Sequence, residues 1–384
     1  MTAADAAAPG RIGLLALVRS EHALLASAAT MVLFLKFGAG WLADLSHPGW
    51  FALMLSWLLV VILLSAFAIV RHAESLATLL GEPLGTLVLT LSIIGVEVLM
   101  ISAVMLSGDG NPTIARDTMF SVLMILLGGM VGLSLLVGGL RHREQAYNLQ
   151  GAKAFLTLIL PLAVFGLILP NFTTTTAGPT FSSFQGMFLS VMSLGIYGIF
   201  LAVQTSRHSG YFRAPVDADA ADDIGVDTND HPPPRSTAYH LVLLVLYVLP
   251  MVVLAKQLAH PLEHVTDVLG APEVLSGFIV AVLILAPEAM SAVKAAANNQ
   301  LQRSVNILLG SVLATIGLTV PAVLLIGIYT GKTVLLGLGA VDSILLVLLL
   351  AVSTLTFSNS RTHVLLGAVH VLVFAAFVML MFEG

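Results

Sequence analysis

Apolar runs of about twenty residues follow one another along the whole chain, broken only by short clusters of charge, proline or glycine. A helix of roughly that length crosses the hydrocarbon core of a bilayer, about 30 Å thick. Inside that core every backbone N–H and C=O must be paired within the protein, so only helices and closed barrels span it. The runs here are continuous and do not alternate with a period of two, which excludes the strands of a membrane barrel. With 58% hydrophobic and 10% charged residues, the chain also has too few polar side chains to coat a soluble globule of 384 residues. The expected fold is therefore an all-α polytopic membrane protein.

Cutting at the polar clusters yields eleven candidate spans: 22–44, 50–70, 84–107, 114–140, 154–170, 180–204, 239–259, 272–297, 303–329, 333–356 and 362–382. The first run is longer than the 7–15 residue core of a cleaved signal peptide and reads as an extra helix. An odd number of crossings leaves the termini on opposite faces. Arg11, Arg19, Arg71, Arg141, Arg143, Lys153, Arg207, Arg213, Arg235, Lys294, Arg303 and Arg361 then share the side of the amino terminus, against Arg116, Lys256 and Lys332 on the other. The positive-inside rule makes the amino terminus cytoplasmic and the carboxyl terminus external. Residues 207–238 carry six Asp and four Pro with few large apolar residues. They cannot build a core and read as an acidic cytoplasmic loop, with Asp217, Asp219, Asp222, Asp223, Asp227 and Asp230 spaced unlike a calcium-binding EF-hand loop. Cysteine is absent, which excludes disulfides and thiol chemistry.

The chain repeats itself. Residues 74–97 read ESLATLLGEPLGTLVLTLSIIGVE and residues 263–288 read EHVTDVLGAPEVLSGFIVAVLILAPE. Each has Glu (Glu74, Glu263), then Gly-x-Pro seven residues later (Gly81 and Pro83; Gly270 and Pro272), then an apolar run ending in Glu (Glu97, Glu288). ILLGG at 125–129 is echoed by ILLGS at 307–311. The copies lie in the third and eighth spans, five crossings apart, and an odd separation inverts the second in the membrane. The expected organisation is an N-terminal segment 1–49 with the extra helix, a five-helix repeat 50–206 (motif 74–107), the loop 207–238, and a second five-helix repeat 239–384 (motif 263–315). Inverted repeats that hold substrate near the midplane are a common plan of secondary transporters.

A charge near the bilayer centre costs about 2.5–3.5 kcal/mol on insertion scales, so such residues pair, neutralise or line a watery path. Glu97 lies thirteen residues into its span and Glu288 sixteen into its own, at depths that the inversion brings toward one plane. Lys36 is the exceptional intramembrane cation, either a partner for one of them or a side chain reaching toward an interface. A carboxylate buried without a cation favours its protonated form, and an arriving metal ion favours the ionised one. Proton and cation then compete for the same oxygens, which suffices for exchange. Further oxygen is available nearby. Pro287 clashes with the carbonyl of Leu283 and frees it; Thr86, Thr90 and Glu97 fall within about 40° on one helix face. Ser304, Ser311 and Thr315 form a similar stripe. Such stripes either line a path for hard cations or let helices approach closely. Glu74 and Glu263, at span ends, are either gates or proton relays or solvated interfacial groups, and Asn299 and Asn306 either face the site or cap helices. His363 and His370 read as packed polar contacts.

The stretches RHAESLATLLGEPLGTLVLTLSIIGVEVLMIS and LAPEAMSAVKAAANNQLQRSVNILLGSVLATIGLTVP resemble those of the cation/Ca²⁺ exchanger superfamily, nearest its bacterial Ca²⁺/H⁺ and Na⁺(K⁺)/H⁺ antiporters. The resemblance covers nearly the whole chain. It implies an eleven-helix antiporter of the bacterial inner (plasma) membrane that exchanges Ca²⁺, Na⁺ or K⁺ for H⁺, with Glu97 and Glu288 as the essential acids. It implies membrane lipid, small cations and protons as partners, no nucleic acid, and no cofactor beyond the transported ions. One departure matters: many Ca²⁺/H⁺ exchangers have Gly-Asn at the fourth and third residues before each Glu, where this chain has Ile93 and Ile94, and Ile284 and Leu285. Fewer amide oxygens weaken a strict calcium preference and make monovalent transport credible. A proton-independent channel would need a filter-like repeat, which is missing. An intramembrane enzyme would need a motif such as H-E-x-x-H, also missing, and Gly108-Asp109-Gly110 falls in a loop.

Overall fold

The computed structural model describes residues 20–81, 84–107, 112–215 and 235–383. Pro83, the Gly108-Asp109-Gly110 loop and all six aspartates of the acidic loop lie outside the described residues, as does the side chain of Thr86. Ten helices are long and apolar enough to cross a membrane, and an eleventh, of 17 residues, is shorter. In chain order these are α1 His22–Trp41, α2 Pro48–Leu80, α3 Leu84–Met105, α4 Ile114–His142, α5 Leu149–Phe172, α6 Ser183–Arg207, α7 Thr237–Val268, α8 Glu273–Ala297, α9 Leu301–Thr330, α10 Ala340–Thr356 and α11 Val364–Glu383. The chain is a multi-pass membrane protein.

Beyond α1 the helices form two units of five, α2–α6 and α7–α11. Their first helices, α2 and α7, pack along each other, and the second helix of each unit crosses to the third helix of the other: α3 meets α9, and α8 meets α4. The repeated Gly-x-Pro shows why its glycine recurs. Gly81 and Gly270 both have left-handed backbone, with φ of 63° and 69°, and each turns the chain from one long helix into the next. The third helices, α4 and α9, are the most enclosed of the ten long ones. Each is interrupted by a π-helical stretch, Met124–Met130 in α4 and Thr315–Thr319 in α9. Such insertions shift the helix face by a residue and re-aim side chains.

Several helix ends differ from expectation. The helix α2 runs ten residues past position 70, and near that point Arg71 and His72 meet the buried carboxylate of Glu21. The tenth span starts late. Gly331 closes α9 with φ of 69°, and residues 332–339 are extended, with helix only from Ala340. A helix of 17 residues reaches about 26 Å, short of the bilayer core. Outside helical geometry this stretch has amides met from elsewhere in the chain: Leu335 and Leu336 donate to the carbonyls of Pro112 and Pro179, and Leu338 to that of Leu167 in α5. Irregular backbone is tolerated at such depth only when buried in protein this way. A two-residue antiparallel ribbon also joins Gln145–Ala146 to Arg361–Thr362, where all-helical structure was expected.

The crossing of α8 over α4 depends on Gly277. A Cβ built there would sit 2.6 Å from the carbonyl carbon of Asp117 and from the amide nitrogen of Thr118, so backbone meets backbone. At Gly310 the nearest atom to an added Cβ is the Phe155 ring at 3.8 Å. Gly277→Ala is therefore expected to destabilise the protein by about 1–3 kcal/mol, the usual penalty of overpacking, while Gly310→Ala leaves stability unchanged or slightly raised; thermal unfolding of both variants in detergent checks this.

Candidate functional site

The two intramembrane glutamates project from the second helices of the two units into the protein interior. Glu97 on α3 is 1% exposed and Glu288 on α8 is 7% exposed. Neither points into lipid. Among the described residues no Lys or Arg pairs with either. Lys36 lies on an exposed face of α1 with its ammonium 5.2 Å from the centre of the Phe37 ring. Glu97 lies within electrostatic range of Glu288.

Hydroxyls from α9 reach both acids. Thr315, at the start of the π-helical stretch, donates to Glu97 Oε2 at 3.0 Å, and Ser311, one turn earlier, interacts with Glu288. Thr319, one turn later, stands beside Glu97, yet its hydroxyl makes no hydrogen bond of good geometry. Each acid keeps one buried oxygen without a partner, Oε1 of Glu97 and Oε2 of Glu288, and Ser304 Oγ on the same helix is likewise buried and unpartnered. Buried polar atoms are nearly always paired, since an unmet one costs about 1–3 kcal/mol. An unmet carboxylate oxygen on each acid is chemically suited to a proton or a cation.

The two units contribute unequally. Aligned on ILLGG and ILLGS, Ser311 and Thr315 of α9 correspond to Gly129 and Leu133 of α4. One helix thus supplies hydroxyls to both acids, while its counterpart presents a close-packed apolar face, with Gly128 and Gly129 against Phe374. Thr90 is half-buried and engages Tyr197. Leu283 is buried in α8, which runs from Glu273 to Ala297 with Pro287 inside it.

The remaining sequence candidates fall elsewhere. Glu74 is half-buried on α2 and within electrostatic range of Glu288. Glu263 lies at the far end of α7, 3.8 Å from His260, and lines a surface cavity of about 230 Å³ with His264 and Asp267. Asn299 sits just past α8 with φ of 59° and accepts from Gln145, and Asn306 donates to the carbonyl of Phe212 and accepts from Gln302. Both asparagines bond to segments between helices, Asn299 to Gln145 and Asn306 to Phe212. His370 is fully buried, bonded to the Leu127 carbonyl in the π-helical stretch of α4 and to Thr356. It is the packed polar contact its isolation suggested. Sequence reading overlooked Thr319, whose only signal is its place four residues after Thr315 on a face already marked by hydroxyls. Arg116, counted from sequence among the charges opposite the amino terminus, pairs with buried Asp117 at 2.7 Å.

Residues 50–206 and 239–383 match the family described as sodium/calcium exchanger protein. The sodium-potassium/proton antiporter ChaA of Escherichia coli (strain K12) is 42% identical over 324 residues, covering 84% of this chain and 87% of that protein. A Ca²⁺/H⁺ antiporter of Aphanothece halophytica is 23% identical over 283 residues, covering 71% of this chain and 74% of that protein. Among solved structures, native YfkE shares the fold with a TM-score of 0.72 at 19% identity, over 94% of this chain and 100% of that one. These proteins are transporters and not enzymes, and the chain belongs to the sodium/calcium exchanger protein family.

Proposed function

We propose that the protein is a secondary active cation/proton antiporter that binds Na⁺, K⁺ or Ca²⁺ in exchange for H⁺ at Glu97 and Glu288. The observation that carries this reading is the pair of buried acids from corresponding helices, each with an unpartnered oxygen and neither with a basic partner among the described residues. Two ionised carboxylates so placed repel each other and are poorly solvated, so the site is stable when filled by protons or by a cation and unstable when empty and charged. If the two units exchange access only with the site neutralised, every passage trades one kind of charge for the other, which is alternating access. Ser311, Thr90 and the Leu283 carbonyl join the two acids as cation ligands in this reading, with Thr315 holding Glu97 in place. Glu74 and Glu263 serve as gates or proton relays toward opposite faces, and Asn299 and Asn306 brace the loops beside one mouth. The units are residues 50–206 and 239–384, joined by the loop 207–238 and preceded by the helix-bearing segment 1–49.

The positions before each acid bear on the choice of ion. Ile94, Ile284 and Leu285 are buried apolar side chains and offer no oxygen. Calcium prefers six to eight oxygen ligands, so the sparse set here favours monovalent transport alongside or above Ca²⁺. The ChaA relative, described as a sodium-potassium/proton antiporter, points the same way. The charge asymmetry supports an inner-membrane orientation with the amino terminus cytoplasmic.

The test is made with purified protein in liposomes holding a pH gradient. Addition of Na⁺, K⁺ or Ca²⁺ is expected to dissipate the gradient, and Glu97→Gln or Glu288→Gln to abolish that response; cation flux indifferent to the gradient would instead identify a channel. Thr315→Val removes a hydrogen bond to a charged group, worth about 1.5–3 kcal/mol. The apparent KM for the cation should then rise about tenfold or more at neutral pH. The rise should shrink at alkaline pH, where proton competition relaxes; KM measured across pH checks it.

A further inference from the structure

Away from the central acids, a second polar cluster is buried where α1, α2 and α7 meet. Glu21, at the start of α1, is 7% exposed. Its Oε2 accepts from Arg71 at 2.7 Å and from Tyr247 at 2.9 Å and lies 3.3 Å from His72 Nε2, while its Oε1 accepts from Tyr239 at 2.8 Å. Burial works against charge on Glu21, yet the Tyr239 hydroxyl, the Arg71 guanidinium and the Tyr247 hydroxyl hold its carboxyl below the ordinary value, so it stays ionised. Beyond it, His72 Nδ1 lies 3.0 Å from His240 Nδ1, and His240 Nε2 accepts the backbone N–H of Arg235 at 3.1 Å. Arg235 is the first described residue after the acidic linker.

Donor and acceptor accounting leaves this chain one complete solution. The Arg235 amide can only donate, so His240 Nε2 is unprotonated and its proton sits on Nδ1. That proton is donated to His72 Nδ1, which must be bare, and His72 then donates from Nε2 to Glu21. All three bonds are made with both imidazoles neutral. The 3.3 Å approach of Arg71 to His72 Nε2 is then a contact between two groups that share Glu21. The opposite tautomers would exchange the His72–Glu21 bond for one accepted from Arg71, but would set His240 Nε2–H against the Arg235 N–H and lose the bond there. One added proton has no vacant place. Wherever it enters, shifting along the two rings keeps the His72–His240 and His72–Glu21 bonds only if His240 Nε2 becomes a donor, facing the Arg235 amide head-on. The guanidinium of Arg235, 4.6 Å from the Tyr239 ring, and that of Arg71 also lie within electrostatic range of a charged His240.

We propose that Glu21, His72, His240 and Arg235 form a proton-operated joint, which ties the end of the linker to the α2–α7 pair and releases it when one imidazole is protonated. The groups facing it are Glu21 from α1, Arg71 and His72 from α2, Tyr239, His240 and Tyr247 from α7, and Arg235 from the linker. Because α2 and α7 are the first helices of the two units and pack along each other, the joint sits on the seam at which the units meet. It responds to protons on the face that charge asymmetry assigns to the cytoplasm and lies apart from Glu97 and Glu288. Its influence on transport rests on the antiport reading; its opening does not.

Full-length protein with nitrogen-15-labelled histidine, studied by solid-state NMR in lipid bilayers, tests the joint directly. At about pH 8 the unprotonated ring nitrogens should be Nδ1 of His72 and Nε2 of His240, and on lowering to about pH 4.5, below the range in which free imidazoles charge, Nε2 of His240 should gain a proton. Trypsin cleavage after Arg235, referenced to cleavage after exposed Arg213, should accelerate about tenfold over the same range. In His240→Phe it should be fast and independent of pH. Reversed tautomers, or cleavage at Arg235 that is equally slow at both pH values, would overturn the proposal. In liposomes, wild-type exchange should lose a component of its pH dependence when His240 is replaced, and a variant with the wild-type profile would remove the joint's role in transport. If no cation is exchanged at all while the tautomers and cleavage behave as expected, the antiport reading fails and the joint stands.

Discussion

In an apolar interior a polar atom without a partner is expensive, and the architecture is organised around how that cost is met. Most of it is met locally, by helices whose backbone groups pair within themselves. Where the chain leaves helical geometry, as at residues 332–339, carbonyls of Pro112, Pro179 and, in α5, Leu167 supply what is missing. Among the described residues the exceptions include one oxygen of each acid, Glu97 and Glu288, and the hydroxyl of Thr319 beside Glu97. In the proposed antiport that local deficit lets protons and cations take each other's place, beside the crossings of α3 with α9 and α8 with α4.

The two units are alike in scaffold and unlike in chemistry. The glycine turns at Gly81 and Gly270 and the acids at Glu97 and Glu288 recur, and α4 and α9 each carry a π-helical stretch, at positions that do not align. Hydroxyls do not recur: α9 brings Ser311 to one acid and Thr315 to the other, whereas α4 offers glycine and leucine at the matching places. Inversion brings the acids toward one plane from opposite sides, and a single helix then serves both. A second asymmetry concerns the outer carboxylates. Glu74 lies within electrostatic range of Glu288, while Glu263 lines a surface cavity with His260, so the two faces approach the centre by different routes.

Much of this architecture is legible in the amino-acid sequence. The eleven apolar runs correspond to eleven described helices because length and hydropathy answer to bilayer thickness, a constraint each segment meets alone. The duplicated motif is legible because it is written in residue order. Helix ends are less so. A charge usually marks the membrane boundary, but Arg71 and His72 lie within α2, where a carboxylate from the start of α1, fifty residues away in sequence, receives them. The Glu21 cluster has no sequence signature at all, since its members are contributed separately by α1, α2, α7 and the linker.

From residue order alone followed the solvent, the number of crossings, the inverted duplication and the two acids, since each is a property of one segment or of two compared side by side. Only the folded molecule decided which hydroxyl each acid meets, that α9 supplies both, and that Arg235 is bound to α2 through paired imidazoles. These depend on which helix faces meet, and helix faces meet where shape and unpaired polar atoms are satisfied together, a condition that no single segment carries.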